Sequence, residues 1–499
     1  MVPLDPVPQP IDHVLRGAPT AVALVDRAGS PTFAELETMV AAAAGWLERQ
    51  ALAPGDRVAT WLPKTRLACI LPLAVARAGL VHVPVNPLLR RSQVAHILAD
   101  SGAALMVTQL PRAATLETND VPAACRIVAE AEVAIDGGGP GRSAANPASL
   151  AAILYTSGST GLAKGVMLSH ANLWLGAVSV AHYLALTPAD RVLAVLPLSF
   201  DYGQNQLFST WLAGASVAPL DYLAARDVVK AIERTGATTL AGVPPLWTQL
   251  LDVDWPAAVS ARLRRLTNSG GALTPALVRR LRGLFPRAEI VAMYGLTEAF
   301  RSTYLDPALI DANPDAMGRA IPFAEVMAVR ADGTRAAPGE TGELVHAGPL
   351  VAQGYWRDPV RTAQRFRPAP GSARSKGPAV WSGDTVIEGQ DGLFRFVGRD
   401  DEMIKVAGNR ISPTEIEAAI SAGDEVGEAV ALGIADERQG QSIVAIVAGD
   451  PAAEDRLRAR LRRDLPSFMQ PLRYVWRSSL PRNANGKLDR AAIRASVTS

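Results

Sequence analysis

Cysteine and histidine are scarce in this chain. Its 499 residues include two cysteines and six histidines. Cys69 and Cys125 lie far apart in the sequence, and no histidine falls at a metal-ligand spacing from either. This pattern argues against a structural zinc site and predicts a reducing compartment, where cysteines stay as free thiols.

The chain also has no marked excess of charge and no long uninterrupted apolar run. Lys and Arg total 50 against 48 for Asp and Glu, a net charge of +2, so the sequence predicts no nucleic-acid partner. The longest apolar stretch, 67–85, contains Arg77, His82 and Pro84, which fits a buried helix followed by a strand better than a membrane span. The first residues have neither the basic nor the apolar region of a signal peptide. We therefore expect no integral membrane segment and a cytoplasmic location.

Helical and strand patterns alternate along most of the sequence. A helix is predicted over 32–50, with Thr32 as its N-cap and Glu35 as the capping-box partner, and another over 67–77. Strand patterns recur at 58–61, 81–85, 192–196, 238–243, 266–268 and 290–293. This alternation predicts an α/β fold with largely parallel sheets.

The pattern changes toward the C-terminus. Strands with Gly- and Pro-bearing turns at 324–329, 342–346 and 393–397 predict a small β-rich subdomain over about 324–398. We expect a large N-terminal domain of parallel αβ-layered sheets over 1–400, including this subdomain. A small α+β C-terminal domain over 401–499 follows, with a helix from Pro413, strands from Glu428 and Ser442, and a basic helix over 453–465.

A loop rich in glycine and hydroxyl side chains follows an apolar run at 151–154. It reads Thr-Ser-Gly-Ser-Thr-Gly-Leu-Ala-Lys-Gly over 156–165. Glycines let consecutive N–H groups face one anion, and hydroxyls add donors, so the loop predicts a polyphosphate site. Ala163 stands where a Walker A loop needs glycine, which argues against a P-loop kinase or ATPase. A Ser/Gly-rich surface linker is the alternative, but such linkers rarely follow a buried strand and carry one fixed lysine.

Several motifs, in order, carry a family resemblance over nearly the whole chain. Besides the loop at 156–165 they are Tyr-Gly-Leu-Thr-Glu at 294–298, Trp-Ser-Gly-Asp at 381–384, Gly-Arg-Asp-Asp at 398–401 with Lys-Val-Ala-Gly-Asn-Arg at 405–410, and Asn-Gly-Lys-Leu at 485–488. The chain resembles the adenylate-forming superfamily, which comprises AMP-forming acyl-CoA synthetases, adenylation domains of non-ribosomal peptide synthetases and beetle luciferases. Within it, the chain looks most like stand-alone acyl-CoA ligases associated with exosortase systems.

The resemblance implies a site for ATP and Mg²⁺. It assigns the β- and γ-phosphates to Thr156, Ser157, Gly158, Ser159, Thr160, Gly161 and Lys164. Beside a polyphosphate, the Glu298 carboxylate implies a bridging Mg²⁺, with Thr160 as a second contact. A surface salt bridge is the alternative role for this glutamate.

Lys487 carries most of the implied chemistry. By resemblance it bridges the substrate carboxylate and an α-phosphate oxygen, so it offsets charge in the transition state, with Thr160 and Glu298 as the other catalytic residues. Without the resemblance, its polar turn would suit an ordinary solvated lysine.

The adenosine is assigned to Gly270, Gly271, Ala272, Tyr294, Gly295, Thr297, Asp384 and Arg399. The Tyr294 ring would face adenine, although a buried core tyrosine is the alternative. Asp384 would accept from the ribose hydroxyls with Arg399 nearby, and an Asx turn after Gly383 is the alternative for this aspartate.

A second half-reaction is implied by the same resemblance. The mobile C-terminal domain would rotate about a hinge at Asp401 and present a loop with Lys405 and Gly408 to a pantetheine thiol. The thiol belongs to CoA or to a carrier-protein phosphopantetheine.

The sequence Leu-Ser-Phe-Asp-Tyr-Gly at 198–203 is the best indication of the acid. Phe200 resembles the aromatic residue at the carboxylate gate, and Asp201 occupies the place where amino-acid-activating domains hold the α-ammonium group. The rest of the implied acyl pocket is Tyr202, Asn205, Thr267, Ser269, Met293, Arg301 and Ser302. These residues predict a small amino or otherwise polar acid rather than a long-chain fatty acid. Alternatively, Asp201 and Arg301 simply pair with each other.

The function predicted first is an AMP-forming acid–thiol ligase that makes an acyl-AMP and transfers the acyl group to CoA. A stand-alone amino-acid adenylation enzyme that loads a carrier protein is the alternative. A luciferase-like, adenylate-only enzyme and a non-catalytic nucleotide-binding relative are the candidates from other classes.

Overall fold

The structure is a computed structural model that describes residues 2–156, 162–271, 273, 275–399, 404–411, 413–423, 425–481 and 490–498. The chain forms two compact units. The larger contains 1–87, 97–155 and 165–400, and the smaller contains 88–96, 156–164 and 401–499. Of the phosphate loop expected at 156–165, residues 157–161 lie outside the described residues.

The strands occupy the following ranges: β1 (Arg57–Trp61), β2 (Val81–Pro84), β3 (Leu105–Thr108), β4 (Arg126–Ala129), β5 (Leu150–Thr156), β6 (Lys164–Ser169), β7 (Arg191–Ala194), β8 (Ser216–Pro219), β9 (Thr239–Gly242), β10 (Arg265–Asn268), β11 (Glu289–Tyr294), β12 (Thr303–Tyr304), β13 (Ala316–Ala320), β14 (Glu325–Val329), β15 (Thr341–Ala347), β16 (Phe366–Pro368), β17 (Pro378–Glu388), β18 (Phe394–Arg399), β19 (Ile404–Val406), β20 (Asn409–Ile411), β21 (Val426–Asp436), β22 (Gly440–Gly449) and β23 (Arg473–Arg477).

The α-helices are α1 (Phe33–Glu48), α2 (Arg66–Arg77), α3 (Arg91–Ser101), α4 (Leu110–Ala113), α5 (His170–Tyr183), α6 (Asp201–Leu212), α7 (Ala225–Thr235), α8 (Pro244–Leu251), α9 (Ala257–Ser260), α10 (Pro275–Leu284), α11 (Pro359–Arg365), α12 (Pro413–Ser421), α13 (Glu454–Asp464) and α14 (Arg490–Thr498). Short 3-10 helices occupy Ile11–Val14, Thr118–Asp120, Glu130–Glu132, Thr297–Ala299, Pro451–Ala453 and Ser467–Met469. None of the described helices is long and apolar enough to cross a membrane.

The larger unit is built on two sheets. The first has the order β4-β3-β1-β2-β5-β6, with parallel pairing among β1 to β4. The second runs β14-β15-β17-β18-β13-β12-β11-β10-β9-β7-β8, and β16 pairs with β17. Strands β7 to β11 are parallel, whereas β11 to β15, β17 and β18 are antiparallel. The predicted α/β class is confirmed.

Local signals give the expected helix ends. Thr32 caps α1: its hydroxyl accepts from the Glu35 N–H, and the Glu35 carboxylate accepts from the Thr32 N–H at 2.7 Å.

Three tryptophans, Trp174, Trp211 and Trp247, are fully buried in the larger unit. Both cysteines are free and buried, as predicted for a chain without disulfides.

The strands expected at 324–329, 342–346 and 393–397 are present as β14, β15 and β18. β14, β15, β17 and β18 are antiparallel, and β18 pairs with β13, which continues through β12 to β11. The region therefore extends the second sheet. The Trp-Ser-Gly-Asp motif, which was expected to be a turn before Asp384, lies inside the long strand β17.

The smaller unit has a sheet of order β20-β19-β22-β21, with β23 parallel to β22. α12 and α13 pack on it through a core that includes Ile416, Leu457 and Leu461. β19 and β20 form a hairpin whose two turn residues, Ala407 and Gly408, have φ of 49° and 80°. Positive φ at both central residues is the type I′ geometry that suits the twist of a two-residue hairpin.

Candidate active site

The candidate nucleotide site lies at the carboxyl ends of three neighbouring parallel strands. In register, Asn268 of β10 stands beside Gly242 of β9 and Ala292 of β11. Ligands of open α/β sheets bind in the crevice outside such strand ends. Gly270 and Gly271 follow β10, Tyr294 ends β11, and Gly295 comes directly after it, so four predicted adenosine residues lie at this edge. Ala272 lies outside the described residues.

Tyr294 and Asp384 are joined by a direct hydrogen bond. The Tyr294 hydroxyl donates to Oδ2 of Asp384. The Asp384 side chain is buried, and its N–H donates to the Ser382 hydroxyl at 3.0 Å. Asp384 therefore lies within β17, and its carboxylate accepts from Tyr294. The phenol also couples two motifs that lie 90 residues apart.

Asp384 and Arg399 are paired in register on two neighbouring strands. Antiparallel pairing of β17 with β18 sets these two residues directly opposite in register. Cross-strand partners are close neighbours in an antiparallel pair. The two residues assigned to ribose thus form one cross-strand pair of the sheet.

Glu298 is buried, which excludes the surface salt bridge considered for it. It lies in the short helix Thr297–Ala299 and is 4% exposed. Its Oε1 accepts from the Tyr355 hydroxyl at 2.7 Å. A buried carboxylate held by a phenol can offer oxygen to a hard cation such as Mg²⁺, so this residue fits the ion that the sequence implies. Among the described residues, no cluster of three or more His, Cys, Asp or Glu side chains could hold a metal.

Arg365 is a site residue that the sequence reasoning missed. Burial lowers its pKa, but the electrostatic influence of Glu298, Tyr355, Tyr294 and Asp384 outweighs that and leaves the pKa raised. Its Nε is buried without a hydrogen-bond partner in the described structure. A half-buried cation with a buried, unpartnered Nε near these groups suits an anionic ligand. The only signal for Arg365 in the sequence is its position, at the end of a helix that follows Gly-Tyr.

The acyl-pocket residues come from α6, β10, β11 and the turn after the Glu298 helix. A cavity of about 360 Å³, its opening included, is lined by Tyr202, Asn205, Thr267, Met293 and Arg301 of the predicted set. Phe200 precedes α6 as its N-cap residue. Ser269 lies beside the Arg301 guanidinium, which donates to its hydroxyl at 3.4 Å. Ser302 is fully buried and bonded to Nδ1 of His346 at 2.9 Å, so it is engaged away from the cavity lining.

Asp201 and Arg301 pair in this structure. Their side chains lie 3.7 Å apart and are 14% and 3% exposed. Arg301 also lies over the Tyr202 ring, 4.6 Å from its centroid. Burial raises the pKa of Asp201, and the Arg301 charge offsets this only in part. In the ligand-free protein the pairing alternative is therefore the one observed.

A strained turn delivers Arg301 to the pocket. Phe300 has φ 60° and ψ −73°, and the Arg301 N–H donates to the Ala299 carbonyl at 2.7 Å. This is a γ-turn of the rare, strained hand. The Phe300 ring packs on Gly176, where an added Cβ would meet ring atoms at 2.5 Å. The glycine therefore provides the space that keeps Phe300, and with it Arg301, in place.

The remaining predicted residues are in the smaller unit or outside the described residues. Thr156 ends β5, Lys164 begins β6, and Lys405 lies in β19 with its N–H donating to Gln441 at 2.7 Å. Ser157, Gly158, Ser159, Thr160, Gly161, Asp401 and Lys487 lie outside the described residues, so their roles stay predictions.

Comparison with known proteins gives the family. The AMP-binding enzyme family matches residues 11–356, and the AMP-binding enzyme C-terminal domain matches 415–487. The chain belongs to the AMP-binding enzyme family.

Similar proteins include both multidomain synthetases and single ligases. Tyrocidine synthase 2 of Brevibacillus parabrevis is 30% identical over 98% of this chain, which corresponds to 13% of the synthase. The chain spans only 6–18% of the first three curated relatives it matches. The L-proline–[L-prolyl-carrier protein] ligase of Pseudomonas fluorescens is 30% identical, with 97% of this chain and 98% of the ligase covered. The o-succinylbenzoate CoA synthetase of Bacillus subtilis shares the fold, with a TM-score of 0.87, 24% identity and 98% of each chain covered.

Proposed function

We propose that this chain is an ATP-dependent acid–thiol ligase. It activates a small carboxylic acid as an acyl-AMP with release of pyrophosphate, and then transfers the acyl group to a phosphopantetheine thiol. The observation that carries this proposal is the Tyr294–Asp384 hydrogen bond, which unites the adenine and ribose residues at the strand-end crevice. Family membership supports the same reaction.

The residues of the larger unit suit the first half-reaction. Tyr294 offers a ring face to adenine, while Asp384, with Arg399 opposite, accepts from the ribose hydroxyls. Glu298 would hold Mg²⁺, with Thr160 of the phosphate loop as the second contact implied by the resemblance, and the ion would offset the charge of the leaving pyrophosphate. Arg365 adds a cation beside these anionic groups.

The C-terminal domain predicted over 401–499 supplies the groups expected to change between half-reactions. Thr156 to Lys164, in the predicted N-terminal domain, hold the β- and γ-phosphates, and Lys487 stabilises the charge that develops as the carboxylate attacks the α-phosphorus. Rotation about Asp401 then removes Lys487 and presents the Lys405–Gly408 hairpin to the thiol.

The acceptor has two candidates that share one chemical arm. CoA is the acceptor that the sequence predicts. A carrier protein is favoured by the L-prolyl-carrier protein ligase, which matches this chain along nearly its full length. A non-catalytic nucleotide binder is disfavoured because a pure binder has no need of a transition-state lysine.

Pyrophosphate exchange tests the proposal. The purified chain is incubated with ATP, labelled pyrophosphate and a panel of polar and apolar acids, with an acid-free reaction as control. We expect acid-dependent label in ATP, and then a CoA or carrier-protein thioester by mass spectrometry. No exchange with any acid, despite measured ATP binding, would contradict the proposal and favour the binder. Exchange without either thioester would favour the adenylate-only enzyme.

A further inference from the structure

One face of α6 is polar although it is turned inward. Tyr202, Asn205, Gln206, Ser209 and Thr210 recur at the spacing that places helical residues on one side. All five line the acyl cavity, together with Thr239, Thr267, Met293 and Arg301. Buried helix faces are normally apolar, so this face requires hydrogen-bonding partners.

Two of these side chains already have partners. The Tyr202 hydroxyl donates to the Thr267 carbonyl at 2.8 Å, and the Ser209 hydroxyl donates back to the Asn205 carbonyl at 2.7 Å. Both hydroxyl groups have hydrogen-bond partners within the protein, so neither of them indicates a ligand.

The other three side chains have polar atoms without hydrogen-bond partners. Nδ2 of Asn205, both amide atoms of Gln206 and Oγ1 of Thr210 are buried and have no hydrogen-bond partner in the described structure. The three residues are 3%, 5% and 0% exposed. Buried polar atoms without partners are costly, so their clustering on one cavity wall indicates a ligand.

The chemistry of the unmet atoms defines the ligand group. Asn205 offers a donor, Gln206 offers a donor and an acceptor, and the Thr210 hydroxyl offers both. The two charged groups nearby, Arg301 and Asp201, pair with each other at 3.7 Å, although Nε of Arg301 is also buried without a hydrogen-bond partner in the described structure. A neutral group with both donor and acceptor capacity therefore matches this wall better than a carboxylate, an ammonium or an alkyl chain.

We propose that the acid activated by this enzyme carries a primary carboxamide that binds the Asn205, Gln206 and Thr210 wall of α6. This inference rests on the proposed function and makes these three residues specificity-determining.

Matched acids test the preference directly. Pyrophosphate exchange is measured with glutamine, asparagine and their deamino analogues, each beside a carboxylate and a branched-alkyl acid of the same length. We expect at least one carboxamide acid to exceed its alkyl and carboxylate counterparts by about 10- to 100-fold in kcat/KM. An alkyl or carboxylate counterpart that is preferred throughout would overturn the proposal.

A variant and a matched control give a second readout. Gln206→Leu combined with Thr210→Val should abolish the carboxamide preference and raise the melting temperature of the ligand-free protein, because unsatisfied atoms are removed. Ser179→Ala is the control, since that buried hydroxyl on α5 already donates to the Pro322 carbonyl at 3.0 Å. It should lower the melting temperature and keep the preference.

The two readouts separate the two proposals. If no acid supports exchange, the proposed function fails, but a raised melting temperature in the double variant would still support an unfilled polar wall. If the double variant melts as low as Ser179→Ala, or keeps the wild-type preference, the wall is not the binding site of a carboxamide.

Discussion

Replacement of Arg301 by methionine tests the charge balance of the acyl pocket. Arg301→Met keeps much of the side-chain volume but leaves the Asp201 carboxylate without its partner at 3.7 Å. At this separation, an effective dielectric constant of 20 gives an attraction of about 4 kcal/mol. Asp201 is 14% exposed, so solvent recovers part of this, and we expect unfolding free energy to fall by about 3 kcal/mol at pH 7.5.

The pH dependence identifies the cause. Burial already raises the pKa of Asp201, and Arg301→Met removes the main charge that opposes this rise. A carboxyl group whose pKa is higher in the folded state than in the unfolded state stabilises the fold at pH values below its unfolded-state pKa. This stabilisation is lost as the pH rises through the folded-state pKa. The stability deficit of the variant relative to wild type should therefore be smaller at pH 5 than at pH 7.5.

The assay is urea unfolding followed by tryptophan fluorescence at both pH values. The double variant Asp201→Asn with Arg301→Met carries neither charge and should recover to within about 1 kcal/mol of wild type at pH 7.5. An equal loss at pH 5 and pH 7.5, or a double variant less stable than the single one, would refute the electrostatic reasoning.

Three further predictions concern the nucleotide site and the turn that positions Arg301. Tyr294→Phe keeps the ring but removes the hydroxyl that binds Asp384, so kcat/KM for ATP should fall about 10-fold, measured by pyrophosphate exchange. Glu298→Gln preserves an acceptor for Tyr355 but loses the anionic oxygen. We expect kcat to fall about 100-fold with little change in melting temperature, and the Mg²⁺ concentration needed for activity to rise. Gly176→Ala would place a Cβ 2.5 Å from the Phe300 ring, so chemical unfolding should show a loss of about 1–3 kcal/mol, whereas Gly283→Ala, with open space around it, should show no comparable loss.

Local chemistry allowed much of the fold to be predicted from the sequence. The capping box of Thr32 and Glu35 involves residues three apart, and the structure contains it. The strand and helix alternation of the parallel region depends on buried runs and turns that a short window of sequence contains. The motif residues Tyr294 and Asp384 could be assigned to one nucleotide because of the family resemblance, and the structure brings them together.

Features set by distant pairing could not be predicted in the same way. The Asp384 motif looks like a turn because of Gly383, but pairing with β15 and β18 holds it in a long strand. The β-rich region joins the second sheet because β13 bridges it to β12, a contact that no local pattern reveals. Arg365 resembles a surface arginine until tertiary packing partly buries it.

The acyl pocket shows the same limit. Asp201 and Arg301 are 100 residues apart, and only the strained backbone at Phe300 brings the guanidinium to the carboxylate. The inward polar face of α6 follows a helical spacing that the sequence contains. Whether this polar face lies toward the cavity or toward solvent depends on which side of the helix is buried. Tertiary packing decides this, and the periodicity of the sequence does not.

The central claim is that Lys487 serves acyl-AMP formation and is dispensable for thiol transfer. The most direct measurement compares both half-reactions in Lys487→Ala: pyrophosphate exchange for the first, and thioester formation from supplied acyl-adenylate for the second. We predict that adenylation slows by about 10²–10³ while thioester formation stays near the wild-type rate. Asp401→Pro, at the expected hinge, should show the reverse pattern. Equal loss of both half-reactions in Lys487→Ala would contradict the account.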